Sequence, residues 1–204
     1  MIAVIDYSAG NLRSVVNAIS RLGYEPEVTG DADTVLRADV VVLPGVGAAA
    51  DTMANLERLG MVEPLRRIIG EDKPFLGICM GLQLLFASTE EGGGHQCLGL
   101  FPGTVKRFPP GLKVPHMGWN QVRQKKAHPV LEGIPDGANF YFVHSYYVDA
   151  SDPELVLGET DYGVNFCSLI ARGNLVATQF HPEKSGETGL RLYDNFLRRA
   201  LHKG

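Results

Sequence analysis

An α/β fold, with a mainly parallel open sheet flanked by helices and extended by antiparallel strands, is what the sequence predicts, on two observations. Through the first half of the 204 residues, short apolar runs alternate with stretches of helical periodicity, the signature of parallel strands joined by helical crossovers. From about Leu98 the pattern changes to shorter strands with alternating or aromatic character, which suits antiparallel additions to the sheet. The 24 glycines and 12 prolines are scattered between these runs, so they punctuate many short elements and mark no linker. One domain spanning residues 1–204 is expected at this length.

The elements follow in order. Ile2-Ala3-Val4-Ile5 reads as a fully buried strand. After a turn at Ser8-Ala9-Gly10, Asn11 stands where it can cap a helix whose apolar residues Leu12, Val15, Val16, Ile19 and Leu22 recur at helical spacing, and Gly23 stops it. Strands are expected over residues 25–28, 40–43 and 75–78, the last leading into a helix over 81–86. Later strands are expected over 140–143, 146–148, 166–170 and 175–180. A closing helix over 188–201 carries Leu190, Tyr193, Phe196 and Leu197 at helical spacing.

Several function classes are set aside. A formal charge of −4 and a pI near 5.9 give no general attraction for nucleic acid or anionic lipid, and the basic stretch over 123–126 is short enough to be a solvated loop. The apolar run over 40–43 stops at Pro44-Gly45, far short of the roughly 20 residues a membrane-spanning helix needs. Cys79, Cys97 and Cys167 form no Cys-x-x-Cys pair, and the first residues lack a secretory pattern, so a reducing cytoplasm is the expected location. No histidine or cysteine pair has a familiar metal-ligand spacing, and no metal or cofactor is expected. Gly92-Gly93-Gly94 lacks a following Lys-Ser/Thr, which makes it a surface loop rather than a phosphate cradle.

The strongest local signal is Gly77-Ile78-Cys79-Met80-Gly81. Glycines two residues either side of a nucleophile let a strand turn abruptly into a helix, leaving Cys79 exposed at the bend beside unpaired helix amides that favour thiolate over thiol. A nucleophilic cysteine needs a base, and the base needs a group to orient it. His181-Pro182-Glu183 offers both, because positions 181 and 183 would continue the period of two of a strand ending at Phe180. Taken alone, His-Pro-Glu fits an ordinary surface loop equally well. The turn Pro44-Gly45-Val46-Gly47 adds backbone amides that could face a pocket. Gly47 and Met80 are the candidate donors to an oxyanion, a type of interaction that contributes roughly 2–4 kcal/mol per donor.

Together these residues resemble the class I (triad) glutamine amidotransferases over essentially the whole chain. Leu76-Gly77-Ile78-Cys79-Met80-Gly81-Leu82-Gln83 resembles that family's nucleophile motif, and Thr178-Gln179-Phe180-His181-Pro182-Glu183 resembles its His/Glu motif. The resemblance implies that Cys79 forms a glutamyl thioester, His181 passes a proton to departing ammonia, Glu183 orients His181, and water releases glutamate. It implies that Gln83, Glu91, His144, Ser145 and Tyr146, with Gly47, hold the amino-acid end of L-glutamine. The segments 5–11, 113–120, 140–147 and 181–185 resemble one branch of the family, in which the glutaminase forms a heterodimer with a (β/α)8-barrel cyclase subunit that consumes the ammonia. Asn11, Trp119, Asn120, Tyr141 and Lys184 match positions facing that partner. Ser8 and Ala49 depart from the family pattern, at positions without chemistry. The glycines around Val46 are expected to let a peptide reorient and complete the oxyanion hole when the partner holds its nucleotide. An anthranilate-synthase-type glutaminase and a free-standing cysteine hydrolase remain the alternatives.

Overall fold

Strands that read as near-continuous apolar runs must be covered on both faces, and this chain supplies four of them for the middle of its sheet. They are β1 (Ile2–Ile5), β3 (Val40–Leu43), β4 (Phe75–Ile78) and β13 (Leu175–Thr178), each buried throughout. β2 (Pro26–Thr29) is partly exposed and forms the edge. The computed structural model describes residues 1–8 and 11–201. In it these five strands run parallel in the order β2-β1-β3-β4-β13.

Helices cover both faces. One face of the sheet packs Val41 and Leu43 against α2 (Ala32–Arg37), α3 (Ala49–Arg58) and α4 (Val62–Gly70), through Val35, Leu56, Leu65 and Ile68. The other packs Val40 and Val42 against α1 (Leu12–Arg21) and α6 (Gly186–Leu201), through Val15, Ile19, Leu192, Phe196 and Leu197. The alternation of 40 and 42 with 41 and 43 is the strand period of two serving two separate cores.

Beyond β13 the sheet turns antiparallel, apart from a parallel pairing of its seventh and fifth strands. It continues through β12 (Asn165–Arg172) and β10 (Tyr146–Ala150) to β7 (Phe101–Arg107), then to β5 (Phe86–Thr89) and β6 (His95–Gln96). A second arm leaves β12 through β11 (Val156–Asp161) to β8 (His116–Gln124) and β9 (Ala138–His144).

The structure corrects the sequence reading in several places. The helix expected over 81–86 is a single turn, α5 (Met80–Gln83), and Phe86 begins a strand instead. Pairing of β5 with β7, and the contact of the Phe86 and Phe101 rings at 6.0 Å, override the apolar spacing. The strand expected to run to Phe180 stops at Thr178, whose Oγ1 donates to the Phe180 carbonyl at 2.8 Å. β2 begins and ends one residue later than expected. The basic stretch read as a loop starts within β8, where Arg123 pairs with Glu159 of β11. Asn11 occupies the N-cap position of α1 but makes no capping bond with its side chain. Ala9 and Gly10 of the expected turn lie outside the described residues.

The functional geometry begins where β4 and β13 end together. Their register pairs Gly77 with Ala177 and Ile78 with Thr178, and the Cys79 amide extends the ladder by donating to Thr178 O at 2.7 Å. The chain must turn here against packed backbone. A Cβ on Gly81 would lie 2.2 Å from the Leu43 carbonyl oxygen, a collision that only backbone movement relieves. Gly81→Ala is therefore expected to destabilise the fold by about 2–3 kcal/mol, the upper range for overpacking a tight core. Urea unfolding of the variant and the unsubstituted chain measures it.

Candidate active site

Cys79 sits at φ 53°, ψ −99°, a backbone conformation that is costly for a residue with a side chain and persists only where its surroundings fix it. Its carbonyl accepts from the Leu82 and Gln83 amides at 3.0 and 3.2 Å, which begins α5. Because α5 is only one turn, the local amides rather than a long helix dipole are what lie beside the sulfur.

His181 and Glu183 meet by a route different from strand alternation. A 3₁₀ turn over Pro182–Lys184 carries Glu183 back under the imidazole, and Nδ1 of His181 lies 2.8 Å from Glu183 Oε1. Both side chains are enclosed, at 1% and 0% exposure. Asn11, entering from the start of α1, donates through Nδ2 to the same carboxylate oxygen at 2.5 Å. The histidine backbone is tied to β9, its amide donating to Tyr141 O at 2.9 Å. Ser185 Oγ donates to His181 O at 2.7 Å while accepting from the Tyr141 amide at 2.9 Å.

Burial alone would disfavour an imidazolium at His181. The negative charge and hydrogen bonding of Cys79, followed by those of Glu183, outweigh it and carry the His181 pKa up to about 10. Nε2 makes no hydrogen bond of ordinary length and engages Cys79 at longer range, a contact of the kind that tightens when substrate binds.

A cavity of about 260 Å³ opens in front of this pair. It brings together Gly47, Met80, Gln83, Glu91, His144, Ser145 and Tyr146 with Cys79 and His181, includes Val46 of the glycine-bearing turn, and adds Pro115 and Val143, which sequence reasoning did not single out. Glu91 reaches across to accept from the Ala49 amide at 2.6 Å. Gly47 has φ +99° with open space where a Cβ would stand, whereas Gly45 is walled in, its would-be Cβ 2.4 Å from Met80 Cβ. Conformational freedom in this loop is thus confined to the Val46–Gly47 side.

Behind the cavity a chain of hydrogen bonds fixes its own proton positions. His144 Nδ1 lies 2.7 Å from Tyr146 O, a group that can only accept, so His144 Nε2 must accept in turn from His116 Nδ1 at 3.0 Å. His116 Nε2 is then left to accept from Asn120 Nδ2 at 3.2 Å. Both rings must be neutral for this order to hold. Burial pushes His116 down to about 4; at His144 burial, opposed by the Tyr146 carbonyl and reinforced by His116 and His181, gives about 3. Tyr146 O also accepts from Gln83 Nε2 at 2.9 Å, and Gln83 Nε2 reaches Gln179 Oε1 at 3.1 Å. Gln179 Nε2 approaches Cys79 Sγ at 3.6 Å.

The sequence matches the family model described as "Glutamine amidotransferase class-I" over residues 3–200. The chain belongs to this family. Among curated relatives, the "Imidazole glycerol phosphate synthase subunit HisH" of Dehalococcoides mccartyi (strain CBDB1) is 56% identical, covering 98% of each chain. The protein of the same description from Moorella thermoacetica is 53% identical, over 100% of this chain and 97% of its own. Among solved structures, "Structure of PurLQS from Thermotoga maritima" superposes with a TM-score of 0.78 at 20% identity, over 97% of both chains, which speaks to the fold.

On the amidotransferase's surface, Trp119 is 59% exposed beside Tyr141, ring centroids 6.0 Å apart, with Lys184 Nζ 5.9 Å from the Tyr141 ring centre. Met117, 61% exposed, lies on the same face of β8 and was not singled out from the sequence. Asn120 and Asn11 are not brought into this cluster. Asn120 points to the opposite face of β8, toward His116 and Asp161 O, and Asn11 is committed to Glu183. Gln179 carried a signal that could have found it, its place inside the His/Glu motif. Asn11 as a carboxylate ligand carried none.

Two titrations follow. Removing the sulfur in Cys79→Ala removes the leading influences that raise His181, so its imidazole is expected to titrate well below 10 in an NMR pH titration of the variant. For His116 and His144, folded values below the ordinary 6.5 mean that the unfolded chain takes up protons first. Their contribution to stability is complete above about 6.5 and is lost as pH falls toward about 4 for His116 and about 3 for His144. The urea midpoint is therefore expected to drop between pH 7 and pH 5, and to drop less in His116→Phe.

Proposed function

We propose that this amidotransferase is a single-domain glutaminase subunit of imidazole glycerol phosphate synthase. The observation that carries the reading is the line from Cys79 through His181 to Glu183 at the carboxyl ends of β4 and β13, opening onto a cavity of about 260 Å³. The whole-length likeness to relatives described as that subunit supports it.

Glutamine lies with its side-chain amide over Cys79. Its ammonium group faces the Glu91 carboxylate, and its carboxylate meets the backbone around His144, Ser145 and Tyr146. Gln83 holds that segment through Tyr146 O. The thiolate attacks the amide carbon, and the amides of Gly47 and Met80 receive the developing oxyanion. The Val46–Gly47 peptide turns to complete that pair when the partner is loaded. His181 gives its Nε2 proton to the departing nitrogen and ammonia leaves, with Glu183 holding the imidazolium in register. Water, deprotonated by His181, then cleaves the thioester to glutamate.

Ammonia released into water at neutral pH becomes mostly ammonium, a poor nucleophile, so delivery through a covered route to a synthase partner is chemically sensible. The cluster of exposed Met117, Trp119 and Lys184 around half-buried Tyr141 is the docking face, and the partner is a (β/α)8-barrel cyclase in a heterodimer. The cyclase uses the ammonia to form imidazole glycerol phosphate and an aminoimidazole carboxamide ribonucleotide, a step of histidine biosynthesis in the cytoplasm. No described helix is long and apolar enough to cross a membrane.

Glutamate release from glutamine, by the chain alone and with the cyclase and its nucleotide, tests this. Strong stimulation by the loaded cyclase is expected, together with a loss of roughly 10³-fold or more in Cys79→Ala. Activity indifferent to the cyclase would instead mark a free-standing hydrolase.

A further inference from the structure

Among the described residues, the buried side-chain polar atoms without a hydrogen-bond partner are Tyr7 Oη, His181 Nε2, Glu183 Oε2 and Tyr193 Oη. His181 Nε2 is accounted for by its place facing the nucleophile. Glu183 Oε2 and Tyr193 Oη are of a different kind. One is an acceptor carrying charge and the other a donor, and both side chains are enclosed at 0% exposure. A charged oxygen shut away from water without a donor is among the costlier features a fold can hold.

The two groups sit on elements pressed together. At Gly189, a Cβ would lie 1.9 Å from the Pro182 carbonyl oxygen, so α6 crosses the Pro182–Lys184 turn closer than any side chain would permit. Tyr193 stands one helical turn further along the same face of α6. The Glu183 charge reaches it, since the phenol is held well above its ordinary value by burial first and by Glu183 second, which keeps it a donor. The separation exceeds hydrogen-bond length, and one water between a buried donor and a buried acceptor is the usual way such a pair is satisfied.

We propose that Tyr193 is a positioning residue of the triad, its hydroxyl donating through one bridging water to Glu183 Oε2. This rests on the glutaminase reading above. Oε1 already takes two donors, His181 Nδ1 at 2.8 Å and Asn11 Nδ2 at 2.5 Å. Anchoring Oε2 as well stops the carboxylate from rotating and fixes the plane in which His181 is held. The titratable groups interacting with Glu183 are His181 on its own turn, with Cys79 beyond, and Tyr193 from α6; α1 contributes the neutral Asn11.

The test is Tyr193→Phe, which keeps the ring in the core and removes only the hydroxyl, assayed for glutamate release in the complex with the synthase partner. The expected result is a kcat about tenfold lower with KM unchanged, and an acidic limb of the kcat/KM profile displaced upward by about one pH unit, the scale of one lost bond to a charged group. In a Glu183→Gln background the same substitution is expected to change kcat less than about twofold, as coupled groups do. A Tyr193→Phe profile that superimposes on the unsubstituted one overturns the proposal. Should the variant not fold, a high-resolution crystal structure of the unsubstituted chain decides: a water bonded to both Tyr193 Oη and Glu183 Oε2 supports it, and a hydroxyl directed elsewhere sinks it. Failure of the glutaminase reading is a separate outcome, seen as an unsubstituted complex that releases no glutamate.

Discussion

The elbow between β4 and α5 is packed so closely that the backbone of Cys79 has nowhere to relax. Behind it, added bulk at Gly81 meets Leu43 O, and added bulk at Gly77 would meet Gly81 O at 2.7 Å. A positive φ at a non-glycine residue is a strained state, and it is retained because strand pairing on one side and the α5 turn on the other leave no alternative. The rest of the site is referenced to this point. The Cys79 amide is the last rung between β4 and β13, and the segment leaving β13 delivers Gln179 to the sulfur and His181 to the cavity.

Around that fixed point, one residue type is driven in two directions. His181 and His144 line the same cavity and are both buried, yet the first is carried up to about 10 and the second down to about 3. The difference is the company each keeps. His181 lies between a sulfur and a carboxylate that can both carry negative charge, while His144 faces a carbonyl dipole and another imidazole. Burial opposes charge in both cases, and only charge of the opposite sign overcomes it. The site therefore holds a proton where amide cleavage needs one and keeps its supporting pair neutral.

What the sequence made legible was whatever rests on local sterics. Glycines spaced around Cys79 constrain the backbone whatever surrounds them, so the elbow could be recognised before its packing was known, whereas His181 and Glu183 stood out only as part of a longer motif resembling the family's. The continuous apolar runs likewise revealed the central parallel strands. The rest depends on contacts between distant parts of the chain. α5 ends after one turn because β5 has a partner in β7, and Glu183 reaches His181 by a 3₁₀ turn, not by strand alternation. Asn11 serves the carboxylate instead of capping its helix, although the two lie 172 positions apart. No pattern local to residue 11 distinguishes these uses.

The sheet order also bears on when the chain becomes chemically competent. β13 follows β4 by about a hundred residues, yet it is inserted beside it at the centre of the sheet. Synthesis proceeds from the amino end, and long-range pairing of this kind is slow because a large loop must close first. A nascent chain that has completed β4 therefore carries a thiol with no base, and it keeps that condition until β13 has docked and brought in the segment bearing His181. The topology works as a delay: the nucleophile is made early, and its activation waits until the fold is almost closed.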